Sequence, residues 1–120
     1  MSVEPVALVE RYHAALNHYD AARIAPMFAD GAVYVSPGVN GRLEGRERII
    51  AAFSAYFAEY ANQHSVDERI ERLGPLMARS HWHLHATAGS SGKPVQRRGV
   101  ETVSFDEAGL ILKVEVEDKC

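Results

Sequence analysis

An acid placed among apolar side chains is costly unless something neutralises it, and residues 95–105, VQRRGVETVSF, set up such a case. Read as a strand, they put Val95, Arg97, Gly99, Glu101, Val103 and Phe105 on one face. Gln96, Arg98, Val100, Thr102 and Ser104 fall on the other. The first face ends in apolar residues and the second is mostly polar, so the first is expected to look inward. Glu101 is then a buried acid, and two chemistries fit it. Burial raises a carboxyl pKa, which would leave a neutral acid able to donate a hydrogen bond. Alternatively Arg97, on the same face, pairs with it and keeps it ionised. Both stay open at this point.

Other residues of reactive type surround this one in the sequence. HWHLH at 81–85 puts three imidazoles at i, i+2 and i+4, an alternation that can ligate zinc. The opposite face holds Leu76, Ala78, Ser80, Trp82, Leu84 and Ala86 and is the more apolar. The histidines are therefore expected on the outer surface, with no metal site. A bulge would swap the faces and make His83 or His85 a candidate base. Along the last strand Leu110, Leu112, Val114 and Val116 share a face opposite Lys113, Glu115 and Glu117. Asp118 continues that apolar face. It is either a base at the end of a pocket or a solvated chain end. His13 and His18 lie off the apolar stripe of the first helix and are expected to be exposed, and His64 opens a strand.

These residues need elements to position them. Pro5, then Val6, Leu8, Val9, Tyr12 and Leu16 at helical spacing, predict a helix ending near Asn17. Asp20 caps a short second helix that Pro26 interrupts. Asp30-Gly31 reads as a turn, 32–36 as a strand, and SPGVNG at 36–41 as its end. Residues 46–61 predict a third helix with Ile49, Phe53, Tyr56, Phe57 and Tyr60 along one side. Strands follow at 65–73, 76–88, 94–105 and 110–117, with turns at 89–94 and 106–109. Helices gathered on one face of a curved antiparallel sheet make an α+β cone, a single domain over residues 1–120. Tyr34, Phe53, Tyr56 and Phe57 with Trp82, Leu84, Val103, Val114 and Val116 would line its interior. Such a lining is a pocket if the third helix stands off the sheet, and otherwise an ordinary core.

The bulk composition excludes several classes. At 47% hydrophobic and 24% charged residues the chain can bury a normal core. Net charge is −3 and the basic residues are scattered, so neither nucleic acid nor an anionic membrane is an expected partner. The one cysteine, Cys120, permits no internal disulfide and fits a reducing compartment. Glu4 and Glu10 interrupt the opening residues, which therefore do not read as a signal peptide or span; a cytoplasmic location is expected. The sequence has no Gly-rich phosphate loop, nucleophile elbow, CxxC or HExxH.

Four segments carry a resemblance: VERYHAALN at 9–17, DAARIAPMFADGAV at 20–33, GRERI at 45–49 and GVETVSFDEAGLI at 99–111. They resemble the nuclear transport factor 2-like superfamily, in particular its SnoaL-like and ketosteroid-isomerase-like members. The resemblance implies the cone fold. It leaves function broad, because the superfamily hosts isomerases, cyclases, hydratases, epoxide hydrolases and binding modules. Ketosteroid isomerases use an aspartate base, with a tyrosine and a protonated aspartic acid as the oxyanion hole. By resemblance Tyr12 falls on that tyrosine and Glu101 on that acid. The base falls at Ser36, before Pro37, and a serine hydroxyl is too weak to replace it. Ser36 would anchor a ligand or cap the strand end. Asp118 or a histidine would be the base, as SnoaL-like relatives often carry an acid near that point. The implied protein is a cofactor-independent enzyme moving a proton on a small, mostly apolar carbonyl-bearing or cyclic molecule: an isomerase, cyclase or dehydratase. It would form a homodimer through the outer sheet face. The alternative is a non-catalytic ligand-binding or dimerisation module. The two differ in whether Tyr12 and Glu101 converge on an open cavity or Trp82 and Phe53 fill it.

Overall fold

The computed structural model describes residues 3–18, 20–36, 41–59, 64–87 and 92–118, with Asp118 described by its backbone alone. Pro37, Tyr60, the first part of the 89–94 turn and Cys120 lie outside the described residues. The elements run α1 (Pro5–Asn17), α2 (Ala21–Ile24), a 3-10 turn (Ala25–Met27), β1 (Phe28–Ser36), β2 (Gly41–Glu44), α3 (Arg46–Glu59), β3 (His64–Gly74), β4 (Met77–Thr87), β5 (Pro94–Phe105) and β6 (Ile111–Asp118). One six-stranded sheet has the order β2-β1-β6-β5-β4-β3. β1 and β6 pair in parallel; the other neighbours are antiparallel. Helix α1 packs on β3, β4 and β5, and α3 packs on β1 and β2. This is the expected α+β cone.

Local chemistry explains most of the boundaries. Pro5 occupies the first turn of α1, where a missing N–H costs nothing. The Asp20 carboxylate accepts from the Arg23 backbone N–H at 3.1 Å and so caps α2. Pro26 then converts the helix into the 3-10 turn. Gly45, at φ +96°, turns the chain into α3. The Asp106 carboxylate accepts from the N–H groups of Ala108 and Leu110, both at 2.9 Å, and Gly109 at φ +87° closes that tight turn.

Three expectations need correction. Asp30-Gly31 is not a turn between elements, because β1 already starts at Phe28. Phe28 pairs with Ile111 and Val33 with Lys113, so residues 29–32 form an irregular excursion within the strand. Asp30 on that excursion is ion-paired to Arg46 at 2.8 Å. The break at 36–41 is followed by a short strand, β2, which returns on β1 with Ser36 opposite Gly41. In β6, Leu112 is not inward but 45% exposed, whereas Ile111 and Val114 are buried. Phe105 pairs with Ile111 and Ser104 with Lys113, so Leu112 is the extra residue of a bulge and the alternation changes phase there.

In β4 the alternation holds without interruption. Ala78, Ser80, Trp82, Leu84 and Ala86 are buried, and every residue from Met77 to Thr87 has its partner on β5. Trp82 lies opposite Gly99. A β-carbon at Gly99 would stand 2.1 Å from the Glu117 carbonyl oxygen and 3.0 Å from the indole Cζ2. The glycine thus admits both the neighbouring backbone and the indole, which forms one wall of the interior. Gly99→Ala should cost roughly 1–3 kcal/mol by overpacking, measured as a lower urea midpoint with unchanged slope. An unchanged midpoint would show that the backbone yields freely there.

Candidate active site

Helix α1 carries Val9, Tyr12, His13 and Leu16, the i, i+3, i+4, i+7 spacing of a single helix face. The structure buries His13, at 7% exposure, and this corrects the expectation that it faces water. The spacing held the signal; the polarity of the imidazole hid it. His13 reaches between two acids on the sheet. Its Nδ1 donates to Asp67 on β3, 2.7 Å from Oδ1 and 2.8 Å from Oδ2. Its Nε2 donates to Glu101 Oε1 on β5 at 2.5 Å. Asp67 also accepts from the Ser80 hydroxyl at 2.7 Å. One turn further along α1, the Asn17 amide brackets the Ser65 backbone, donating to its carbonyl at 2.9 Å and accepting from its N–H at 3.0 Å. That bracket fixes helix against strand and holds the imidazole in register with both carboxylates.

Asp67 was not legible as a site residue. In HSVDERIERLG it is one charge among many. The strand bulges between Asp67 and Arg69, with Asp67 opposite Trp82 and Arg69 opposite His81. Asp67 stays on the inward side of the sheet while Glu68 is exposed.

The electrostatics follow from the geometry. Burial alone would push the His13 pKa down. The Glu101 charge and the hydrogen bonds to both carboxylates outweigh it and push the pKa up to about 10. His13 is therefore an imidazolium at neutral pH. Burial raises the Asp67 carboxyl, but the His13 hydrogen bond and charge overcome it and the net shift is downward. The other oxygen of Glu101, Oε2, has no hydrogen-bond partner among the described residues.

Glu101 and His13 stand on the wall of a cavity of about 100 Å³. Tyr34 and Ser36 from β1, Phe53, Tyr56 and Phe57 from α3, Trp82 and Leu84 from β4, Arg97 from β5 and Val116 from β6 form most of the remaining lining. Phe53 packs edge-on to Tyr34 at 5.3 Å and stacks with Phe57 at 6.2 Å. Trp82 and Phe53 thus form walls and do not fill the hollow. Val103 and Val114, expected in the lining, are fully buried in the core and off the cavity surface. The Arg97 guanidinium lies over the Trp82 ring, 5.6 Å from its centroid. Four residues along a strand span roughly 13 Å, and Glu101 takes His13 as its partner. The expected Arg97–Glu101 pair is absent for that reason.

Tyr12 departs from expectation too. It is fully buried in the core, edge-on to Phe28 at 5.6 Å, and it does not line the cavity. Its hydroxyl finds no partner among the described residues. Burial, then the Glu101 charge, then Tyr34 hold its pKa well above the ordinary 10.0. The convergence of Tyr12 and Glu101 on one cavity is not what the structure shows: the acid is on the wall and the tyrosine behind it. Asp118 pairs through its backbone with Gly99, and its side chain lies outside the description.

The 81–85 histidines face away from the cavity. His81 meets Glu71 at 2.7 Å and His83 meets Glu68 at 2.9 Å. Because β4 has no bulge against β5, His83 and His85 do not turn inward. Among the described residues no three His, Cys, Asp or Glu side chains come together as a metal site. His18 and His64 are exposed. No helix among the described residues is long and apolar enough to cross a membrane.

The family model described as SnoaL-like domain matches residues 9–114. The chain belongs to the SnoaL-like domain family. No curated protein matches it. Among solved structures it is similar to a Catenulispora acidiphila protein with a ketosteroid isomerase-like fold in complex with trimethylamine: 16% identity, 95% of this chain and 86% of that one, TM-score 0.83. It is also similar to a Mycobacterium tuberculosis protein in complex with estradiol-17beta-hemisuccinate: 19% identity, 92% and 89% coverage, TM-score 0.81. A third is an epoxide hydrolase/cyclase-like enzyme of pyran ring formation in the polyether salinomycin: 19% identity, 94% and 88% coverage, TM-score 0.78. At these identities the likeness shows the fold.

The raised His13 pKa fixes a pH dependence. A group whose pKa is higher folded than unfolded stabilises fully below its ordinary value, and that stability is lost as pH rises through the folded value. For His13 the window runs from the ordinary 6.5 to about 10. Asp67, shifted downward, stabilises above its ordinary 3.8 and loses that contribution as pH falls through its lowered value. Urea midpoints should decline by a few kcal/mol equivalent between pH 6.5 and 10; a flat profile across that window would contradict the buried imidazolium.

Proposed function

We propose that the chain is a cofactor-independent enzyme that transfers a proton on a small, mostly apolar carbonyl-bearing or cyclic molecule, with Glu101 as its base. One observation carries this reading: a carboxylate with one oxygen held by an imidazolium and the other without a partner among the described residues, on the wall of an aromatic hollow. In that hollow the free oxygen has little water around it, so a C–H acid bound there meets the carboxylate directly. The base that ketosteroid isomerases carry at the Ser36 position would thereby come from β5, from the residue on which the resemblance places their acid.

In the step itself, a C–H bond next to the substrate carbonyl breaks. The proton goes to Glu101 Oε2, and the electron pair moves onto the carbonyl oxygen. Returning the proton to another carbon gives isomerisation. Delivering it to a departing hydroxyl gives dehydration. The developing oxyanion needs positive charge or donors. Arg97 places a guanidinium on the same cavity wall. Tyr12 has no direct part in this scheme. An apolar cavity of about 150 Å³ takes up benzene, so a hollow of about 100 Å³ suits a ligand of at most ring size unless the half-buried Tyr56 and Phe57 move.

The second reading is a ligand-binding module. Two observations favour it: Tyr12 is off the wall, and Ser36 stands where the isomerase base would be. Deuterium exchange separates the two. The protein is incubated in D2O with a panel of small cyclic ketones and enones, and label at the α-carbon is followed by NMR. Binding is followed in parallel by fluorescence of Trp82, the only tryptophan. Exchange above background is expected, and Glu101→Gln should reduce it by roughly 10²–10⁴-fold while binding persists. Ligands that bind wild type without exchange would decide for the module.

A further inference from the structure

His13 lines two hollows on opposite sides of one wall. Its Nε2 edge meets Glu101 at the cavity, and its Nδ1 edge meets Asp67 beside a groove between α1 and β3. Asp67 belongs to the groove and not to the cavity lining, and its side chain keeps 19% of its exposure, against 8% for Glu101. Both Asp67 oxygens lie within hydrogen-bond distance of Nδ1, and the Ser80 hydroxyl fixes one of them. Ser80 is itself fully buried.

We infer that Asp67, oriented by Ser80, is a positioning residue for Glu101. From behind the wall it clamps His13 as a doubly donating imidazolium, which in turn aims the Glu101 carboxylate. Because Asp67 acts from the groove, the clamp operates whether the cavity is empty or filled. The inference rests on the reading of Glu101 as the working base. It adds a residue that touches no ligand yet sets the state of the one that does. It follows the general logic of a base oriented by a third group.

The groups facing His13 support this assignment. From β5 comes Glu101, from β3 Asp67, and from α1 itself the adjacent Tyr12, ring centroids 5.3 Å apart. Glu10 of α1 with Glu68 and Arg69 of β3 also line the groove. Of all these, only the two carboxylates hydrogen-bond the ring. Without Asp67, Nδ1–H would be a charged donor in a nearly closed wall with a single acid on its far side. That arrangement favours loss of the ring proton and, with it, of the cation beside Glu101.

The test reads the ring directly. The His13 nitrogens are followed by long-range ¹H–¹⁵N NMR from pH 5 to 11 in wild type, Asp67→Asn and Ser80→Ala, with saturating ring-sized ketone present and absent. Wild type should hold both ring protons up to about pH 10 in either condition. Asp67→Asn should weaken His13 proton affinity by tenfold or more, with circular dichroism unchanged. Ser80→Ala should shift it in the same direction by less, and decides the matter if Asp67→Asn does not fold. The upper pH limit of deuterium exchange should move down with the ring titration. A His13 titration within twofold of wild type in a folded variant would overturn the inference. So would a wild-type titration that changes when the cavity is filled. Absent exchange in wild type would instead defeat Glu101 as base, an outcome visible separately from the ring titration.

Discussion

An imidazolium held between two carboxylates governs this structure. Each charge taken from water costs several kcal/mol, and only good geometry with further hydrogen bonds repays it. Here His13 spends both N–H groups on acids, and Asp67 takes a second donor from Ser80. The three groups come from α1, β3 and β5, so the network has its geometry only when the helix is docked across the sheet. The Asn17–Ser65 bracket sets the same docking one turn away. What fixes the fold at this point also sets the electrostatics: docking α1 delivers a counterion to Glu101 through one carboxylate oxygen.

The hollow around that oxygen has a different origin. Helix α3 contributes Phe53, Tyr56 and Phe57 and packs mainly on β1 and β2, while α1 packs on β3 to β5. The two helices cover different parts of the sheet, and the cavity lies between them. Gly99 admits the Trp82 indole as one wall, and Tyr34 with Phe53 forms another. In such a place a charged group is poorly hydrated and electrostatic interactions are strong.

Much of this was legible in the sequence, and what was missed has identifiable causes. The β5 alternation placed Glu101 inside, and the β4 alternation placed the three histidines outside, because period-2 burial is strong where a sheet has one wet face. The helices and the 106–109 turn followed from Pro5, Asp20, Pro26 and Gly109. The excursion at 29–32 and the single-residue bulges at Glu68 and Leu112 were not legible, since so few extra residues leave no compositional mark. They account for the misread Asp30-Gly31 and for the wrong face given to Leu112. The polarity of His13 points to water, while its place in the Val9, Tyr12, Leu16 stripe points to the core. Its acidic partners lie 54 and 88 residues away in the chain, a pairing that only the tertiary fold creates. The resemblance named the fold correctly. It also drew Tyr12 into a role that this chain's packing does not give it.

The central claim concerns where protons reside, and neutron diffraction on a deuterated crystal at neutral pD observes that directly. Two deuterons on the His13 ring, one at each nitrogen, with none on either oxygen of Glu101, is the arrangement the account requires. A deuteron on the Glu101 carboxyl beside a singly protonated ring would make the residue an acid at rest, and the proposed base would not exist.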